Sequence, residues 1–381
     1  MHSDASGARP AGSVLSVGKF YHPRAGGLEM VTRIIAEEVV RCGGRSTVAC
    51  FDGELEGDET IDGVRVRRFK AVMLGPAPFS WRFLTQFRRL ARGHGTLLLH
   101  YPNPLAELAC SLLARGAGAT MVVFYHSDLS RYHPIVDRLY WSFSRRALRR
   151  ADLIVTTSPA YAAGSPVLRH LQEKVKVAPL GTDTVLFHPG PPDEGIRIPF
   201  PCRVLFVGRF ARFKGLDILI RGLSLLPPEY GAVLIGDGPY AGLVRDQIDR
   251  LGLHDRVLLP GIIPNEDLPR WYRSCDLLVL PSVLRSESFG IVALEAMASG
   301  LPIITTELGT GTSLYNTDGV TGRVIPPGDA EALAGAIVDC CGRRQELGSA
   351  ARLEVERHYS LEVFRRRMRE LLHLDGPAGK T

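Results

Sequence analysis

Two glutamates, Glu287 and Glu295, stand with seven residues between them in the run Ser286-Glu-Ser-Phe-Gly-Ile-Val-Ala-Leu-Glu295. The apolar stretch Leu277–Leu280 ahead of them predicts a strand. Gly290 to Ser299 predicts a helix, ended by Gly300 and Pro302. Glu287 then falls in the loop before the helix and Glu295 more than one turn inside it. The amides of Phe289, Gly290 and Ile291 become helix-start donors with no intrahelical acceptor, which suits a phosphate. A carboxylate on either side can grip hydroxyls of a sugar and of a ribose.

A second group of residues carries positive charge. In Val207-Gly-Arg-Phe-Ala-Arg-Phe-Lys-Gly215 a strand ends and Arg209 and Lys214 follow on the loop. Two cations there suit a diphosphate, or are plain surface charge. Gly26 and Gly27 follow the first apolar run and open a helix, so they read either as a tight turn or as an anion site. No G-x-G-x-x-G is present, which removes the dinucleotide fingerprint. Gly236-Asp-Gly238 reads as a turn. His126, in Tyr125-His-Ser-Asp128, ends a strand on the carboxyl edge where ligands bind.

The elements that must position these residues repeat along the chain. Short apolar runs at Val14–Val17, Thr47–Phe51, Val64–Phe69, Thr96–His100, Met121–Tyr125 and Leu153–Thr156 alternate with helical stretches, among them Leu28–Arg41, Pro104–Arg115 and Pro134–Arg150. That is the βαβ rhythm of a parallel sheet. Five prolines between Thr182 and Cys202 interrupt it. It restarts with Arg203–Val207, Ala232–Ile235, Arg256–Leu259, Leu277–Leu280, Pro302–Thr305 and Arg323–Ile325, and Ser360–Leu372 predicts a last helix. The expected organisation is a tail over 1–12, an α/β domain over 13–181, a linker over 182–202, a second α/β domain over 203–359, and a final helix and tail over 360–381. Both domains are doubly wound, and facing domains would put the site in the cleft between them.

The 381 residues are 45% hydrophobic and 23% charged, which is ordinary globular composition and excludes a disordered or fibrous chain. Residues 1–190 hold 24 Lys and Arg against 16 Asp and Glu, or +8, and residues 191–381 hold 22 against 24, or −2. One half therefore meets something anionic, or has a solvated basic surface. No nucleic-acid motif accompanies it. The seven scattered cysteines form no C-x-x-C pair, so a reduced, cytosolic chain is expected. No stretch reaches the length of a transmembrane helix, and the N-terminus lacks a secretory core.

Taken in order, Gly208-Arg209, Lys214-Gly215, Gly236-Asp-Gly238, Glu287, Glu295-Ala-Met-Ala, Gly300-Leu-Pro302 and Asp318-Gly-Val-Thr-Gly322 resemble the pattern of the family 4 retaining glycosyltransferases, including its E-x7-E pair. The resemblance runs from Gly26 to the final helix. It implies the GT-B fold: two facing Rossmann-like domains, with the donor held mainly by the second and the last helix crossing back to the first. By resemblance Glu287 contacts the donor sugar near the reacting carbon and Glu295 holds the ribose. Arg209 and Lys214 hold the diphosphate together with the start of the Ser288, Phe289, Gly290 and Ile291 turn. Gly26 and Gly27 close over the phosphates, and His126 lies near the sugar. Where the family often has Asn-Gly, this chain has Leu180-Gly-Thr-Asp183, which makes Thr182 and Asp183 further possible ligands. Ser286 to Gly322, with Glu307-Leu-Gly-Thr-Gly-Thr-Ser313, is most similar to bacterial mannosyl- and rhamnosyltransferases of surface polysaccharide assembly.

The expected reaction is transfer of a hexosyl group from a nucleotide diphosphate sugar with retention, by a front-face displacement of oxocarbenium character. Mannose from GDP-mannose is the first choice of donor, with a UDP-hexose or an epimerase of the same fold as alternatives. No D-x-D occurs, so no metal cofactor is expected, and Arg209, Lys214 and helix-start amides would stabilise the leaving diphosphate. Tyr140–Arg150 and Trp81–Arg89 put aromatics and arginines on helices of the basic half. They either pack on the core or lie on an anionic membrane, where a lipid-linked glycan acceptor would be met at the cytoplasmic face. Nucleic acid is not an expected partner.

Overall fold

The computed structural model describes residues 12–374, apart from Ala25 and residues 53–54, 75–76, 114–117 and 129–133. The expected N-terminal tail lies outside the described residues except for Gly12. The chain divides into two compact units. The first takes the residues through Thr157, Ser165–Ala178, and the chain from Arg365 onward. The second takes Ser158–Gly164 and Pro179–Phe364.

The first unit runs β1 (Ser13–Val17), α1 (Gly27–Arg41), β2 (Arg45–Asp52), β3 (Gly57–Ile61), β4 (Val64–Lys70), β5 (Val72–Leu74), β6 (Ala77–Phe79), α2 (Trp81–Arg92), β7 (Thr96–Tyr101), α3 (Pro104–Leu113), β8 (Thr120–Tyr125), α4 (Pro134–Arg150) and β9 (Leu153–Thr156). After α5 (Pro159–Gly164), which groups with the second unit, it ends its sheet with β10 (Val175–Val177). The sheet order is β10-β9-β8-β7-β1-β2-β4-β3, parallel except for β3. Strand β8 reads as a nearly continuous apolar run, as expected of a parallel sheet covered on both faces, and β1, despite Ser13 and Ser16, is buried at all five positions. The second unit runs β11 (Cys202–Val207), α6 (Leu216–Ser224), β12 (Tyr230–Ile235), α7 (Ala241–Arg250), β13 (Val257–Gly261), α8 (Leu268–Arg273), β14 (Leu277–Leu280), α9 (Ile291–Ala298), β15 (Ile303–Thr306), β16 (Gly322–Ile325), α10 (Ala330–Gly342), α11 (Arg344–His358) and the start of α12 (Leu361–Leu371). Its all-parallel order is β13-β12-β11-β14-β15-β16. Val204, Phe206, Leu234, Leu277, Val279 and Ile304 form its core with α6 and α10. Each such side chain contributes roughly 1.5–3 kcal/mol of burial.

Several expectations need correction. The segment 182–202 is not a free linker but part of the second unit. Phe187 and Phe200 are buried, Arg352 donates to the Phe187 and Thr184 carbonyls, and Arg270 pairs with Asp193. The first unit's sheet ends at β10, so the boundary falls between Ala178 and Pro179. The final helix is divided at Phe364. From Arg365 onward it belongs to the first unit, where Arg369 and Arg365 meet the buried carboxylate of Glu38 at 2.6 and 3.5 Å. The cysteines are not all thiols: Cys202 and Cys341 form a disulfide. They stand 139 residues apart, so nothing in the local spacing revealed the pair. Cys42, Cys50, Cys110, Cys275 and Cys340 are free.

Candidate functional site

In the second unit the strand order reverses between β11 and β14. A crevice for ligands opens at such a switch point, beyond the carboxyl ends of the two strands. The loops that leave those ends carry Lys214 and Glu287. Gly215 caps α6 in the left-handed region, with φ +66°, and lies so close to the Pro281 carbonyl that no Cβ fits. This close approach holds the two loops together. The Lys214 ammonium sits 2.5 Å from Glu287 Oε2, and the Ser282 hydroxyl donates to the same oxygen at 3.0 Å. The pair is largely shielded from water. Arg209, on the same loop, is exposed and pairs with no acid among the described residues.

Helix α9 starts one residue later and ends one earlier than the spacing predicts. Gly290 is its cap, with φ +77° and ψ +62°. A Cβ there would lie 2.5 Å from Leu280 Cδ2 and 3.1 Å from the Tyr315 hydroxyl. Tyr315 donates to the carbonyls of Phe289 and Gly290 at 2.5 and 3.2 Å, and Gly311 N–H donates to the Ser288 carbonyl. The turn's carbonyls are thereby taken up. The first amides of the helix keep no intrahelical acceptor and carry its positive dipole end. The Glu307–Ser313 run is thus a buttress of this turn. Arg285 binds its Leu308 and Gly309 carbonyls. Glu295 is buried, and one of its oxygens accepts from the Tyr272 hydroxyl at 2.7 Å. Burial pushes its carboxyl up to about 7.

In the first unit the strand order reverses between β1 and β7. Gly26 and Gly27 follow β1 and open α1, where both are exposed and the Glu29 carboxylate folds back against Gly26. His126 follows β8. Its Nε2 lies 3.0 Å from His100 Nδ1 on β7, and the two rings stack with Phe124. Burial lowers both histidines, His100 to about 3 and His126 well below its ordinary value, with the His100 charge adding to the second. Both are therefore neutral near pH 7, fit for hydrogen bonding rather than for carrying charge.

The second unit brings together Lys214, Glu287, the turn Ser288, Phe289, Gly290 and Ile291, and, deeper, Glu295. Gly26, Gly27 and His126 sit on the first unit at its own switch point. Thr182 and Asp183 are held by local bonds of the second unit. Thr182 exchanges backbone bonds with Tyr359 and Leu361, and the Asp183 carboxylate accepts from the amides of Val185 and Leu186. Sequence reasoning missed Ser282, Tyr315, Tyr272 and His100. Only His100 left a trace there, as a histidine inside an apolar strand.

The description "Glycosyl transferase 4-like domain" matches residues 26–181, and "Glycosyl transferases group 1" matches residues 201–351. The chain is 35% identical over 334 residues to the O-antigen chain mannosyltransferase C of Escherichia coli, covering 85% of this chain and 87% of that one. It is 36% identical over 270 residues to the D-rhamnosyltransferase WbpZ of Pseudomonas aeruginosa, covering 70% and 69%. Among solved structures, Anabaena HepE in complex with UDP superposes with a TM-score of 0.78 at 23% identity, over 95% of this chain and 99% of that one.

Proposed function

Since the chain belongs to the group 1 glycosyltransferases of the GT-B fold and is a hexosyltransferase using a nucleotide sugar, we propose that it moves mannose from GDP-mannose, with retention, to a lipid-linked glycan acceptor. The product would be an O-antigen, lipopolysaccharide or exopolysaccharide chain. The similarity to the O-antigen chain mannosyltransferase C supports this choice of sugar and setting, and the D-rhamnosyltransferase WbpZ supports hexosyl transfer without naming mannose.

The observation that carries the assignment of roles is the Lys214–Glu287 pair at the switch point, beside the glycine-capped start of α9. An arriving diphosphate competes with Glu287 for Lys214. As Lys214 turns to the phosphates, Glu287 is released to a hydroxyl of the sugar. Arg209 and the amides from Ser288 to Ile291 share the charge that grows on the leaving diphosphate as the bond to the anomeric carbon breaks. Glu295 receives the ribose. His126, neutral, donates or accepts a hydrogen bond at the sugar, and Gly26 and Gly27 approach the phosphates. The acceptor hydroxyl attacks from the face the diphosphate leaves, and its proton passes to the departing phosphate oxygen. These cations and amides take the place of a metal, so EDTA should leave the rate unchanged.

Thermal shift with GDP-mannose, UDP-glucose, UDP-galactose and UDP-GlcNAc tests the donor: GDP-mannose should stabilise most, and a larger shift with a UDP-sugar overturns that choice. Product analysis with labelled donor should show transfer to acceptor rather than an epimerised donor. Glu287→Gln and Arg209→Ala should each lower transfer by about 100-fold, the usual size for one lost transition-state contact. Wild-type rates in both would remove the roles assigned here.

A further inference from the structure

His100 and His126 share one face of the first unit's sheet. His100 is paired with Phe124 across β7 and β8. Paired residues of a parallel sheet point the same way, and so does the residue two positions further on. His126 is that residue. Its amide donates to the Tyr101 carbonyl at 3.0 Å, which fixes it one rung beyond β8. Its ring lies with its centroid 4.6 Å from Phe124 and 5.3 Å from His100, within 27° and 18° of parallel. So confined, the two imidazoles keep one relation, in which His100 Nδ1 stands 3.0 Å from His126 Nε2.

A bond between two neutral imidazoles needs a proton on one nitrogen and a lone pair on the other. Both rings are neutral, because burial disfavours their charge and a charged His100 would repel a charged His126. Two arrangements remain. In the first, His126 donates through Nε2–H, and His100 carries its own proton on Nε2. In the second, His100 donates through Nδ1–H, its Nε2 is a bare lone pair, and His126 carries its proton on Nδ1. The choice turns on His100 Nε2, which is buried and has no partner. The hydroxyl of Ser16, on the same face of the adjoining strand β1, does not answer it and is itself without a partner. An unanswered N–H is the rarer defect of protein interiors, and an unanswered lone pair the commoner one. The interior therefore favours the second arrangement.

We propose that His100 is a positioning residue, whose Nδ1–H donates to Nε2 of His126 and so presents His126 to the transferred sugar as an Nδ1–H donor. This deepens the reading of His126 as a contact of the donor sugar and rests on it. With Nε2 occupied, Nδ1 is the ring nitrogen left to a ligand. Which nitrogen of a histidine carries the proton is set by the bond the other one makes, and here His100 makes it. A sugar hydroxyl that accepts from Nδ1–H keeps its own proton free for a carboxylate. The contact also adds no positive charge beside a carbon that becomes cationic as the diphosphate departs, whereas an imidazolium there would oppose that charge.

The test uses the full chain labelled with 15N-histidine. Long-range 1H–15N correlation spectra at neutral pH should show both rings protonated on Nδ1, with His100→Asn and His126→Asn assigning the two sets of signals. A proton on Nε2 of His126 overturns the proposal, because His126 would then offer an acceptor. The second measurement is kinetic. His100→Phe keeps the bulk of the ring and removes the donor. It should lower kcat by about tenfold, the scale seen when a partner that orients a metal-bound imidazole is lost. Its affinity for GDP, which has no sugar, should stay at the wild-type value, which also shows that the variant folds. His100→Asn sets an amide N–H near the place of Nδ1 and should recover most of the loss in kcat, although it fills the core less well. A residue with a packing role alone would give the reverse, with Phe tolerated, Asn worse, and GDP and GDP-mannose weakened alike, and that result overturns the proposal. If His126→Ala transfers sugar at the wild-type rate, the contact of His126 with the sugar fails and the purpose assigned to His100 goes with it, while the spectra still decide which ring donates.

Discussion

Glu295 shows what burial does to a single side chain. Its carboxyl is raised from 4.5 to about 7 because the helix interior disfavours charge. The folded protein therefore binds that proton more tightly than the unfolded chain does. Stability is fully present below 4.5 and is lost as pH rises through about 7. A glutamine in its place would not need to ionise, yet would keep an acceptor for Tyr272. Glu295→Gln should accordingly match wild type at pH 4.5 and be more stable at pH 8, by about 3 kcal/mol at most, as read from urea unfolding at the two pH values. Donor affinity should fall in the same variant if the carboxylate holds the ribose. The two glutamates were legible in the sequence because their spacing is a pattern within one loop and helix. The Lys214–Glu287 pair was not, since 73 residues separate its members and only the switch point brings them together. Ser282 and Tyr315 belong to no motif, so nothing marked them.

At the scale of elements, the start of α9 depends on the absence of a side chain at Gly290. Gly290→Ala would place a Cβ against Leu280 in a left-handed backbone, which adds steric strain to overpacking. A loss of roughly 2–4 kcal/mol is expected from these two terms, and transfer should fall with it because the helix-start amides would be displaced. Chemical denaturation and initial rates measure the two effects, and a variant as stable and as active as wild type would show that the turn relaxes freely. Buried parallel strands were readable to within two or three residues because they are continuous apolar runs. Strand β3 was invisible for the opposite reason. Gly57–Ile61 is exposed at four of its five positions and is held as an edge by Asp58 with Arg65 and Glu59 with Arg68. Strand β5 shows no alternation, since all three of its residues are exposed.

At the scale of the molecule, part of the +8 charge of residues 1–190 lies on the surface in α2 and at Lys70, while the −2 half, with 22 Lys and Arg of its own, sets Lys214 against Glu287. The buried Glu38 joins distant parts of the chain. It stands on α1, and its partners Arg365 and Arg369 arrive more than 300 residues later. Removing a partner from a buried carboxylate leaves its desolvation uncompensated. Arg369→Ala should cost about 2 kcal/mol, with Arg365 covering part of the loss, and Glu38→Gln/Arg369→Leu should recover some of it. An unchanged midpoint in Arg369→Ala would show that Arg365 suffices. This one contact also fixes an order of events during synthesis. The second unit is continuous from Pro179 to Phe364, apart from one short helix already made. It can close while the chain is still growing, whereas the first unit, although begun earlier, waits for its last helical turns to leave the ribosome. A fragment stopping at Ala178 would lack the residues from Arg365 onward that complete the first unit and should be less stable than that unit in the whole protein, so the part of the protein that is translated first is the part completed last.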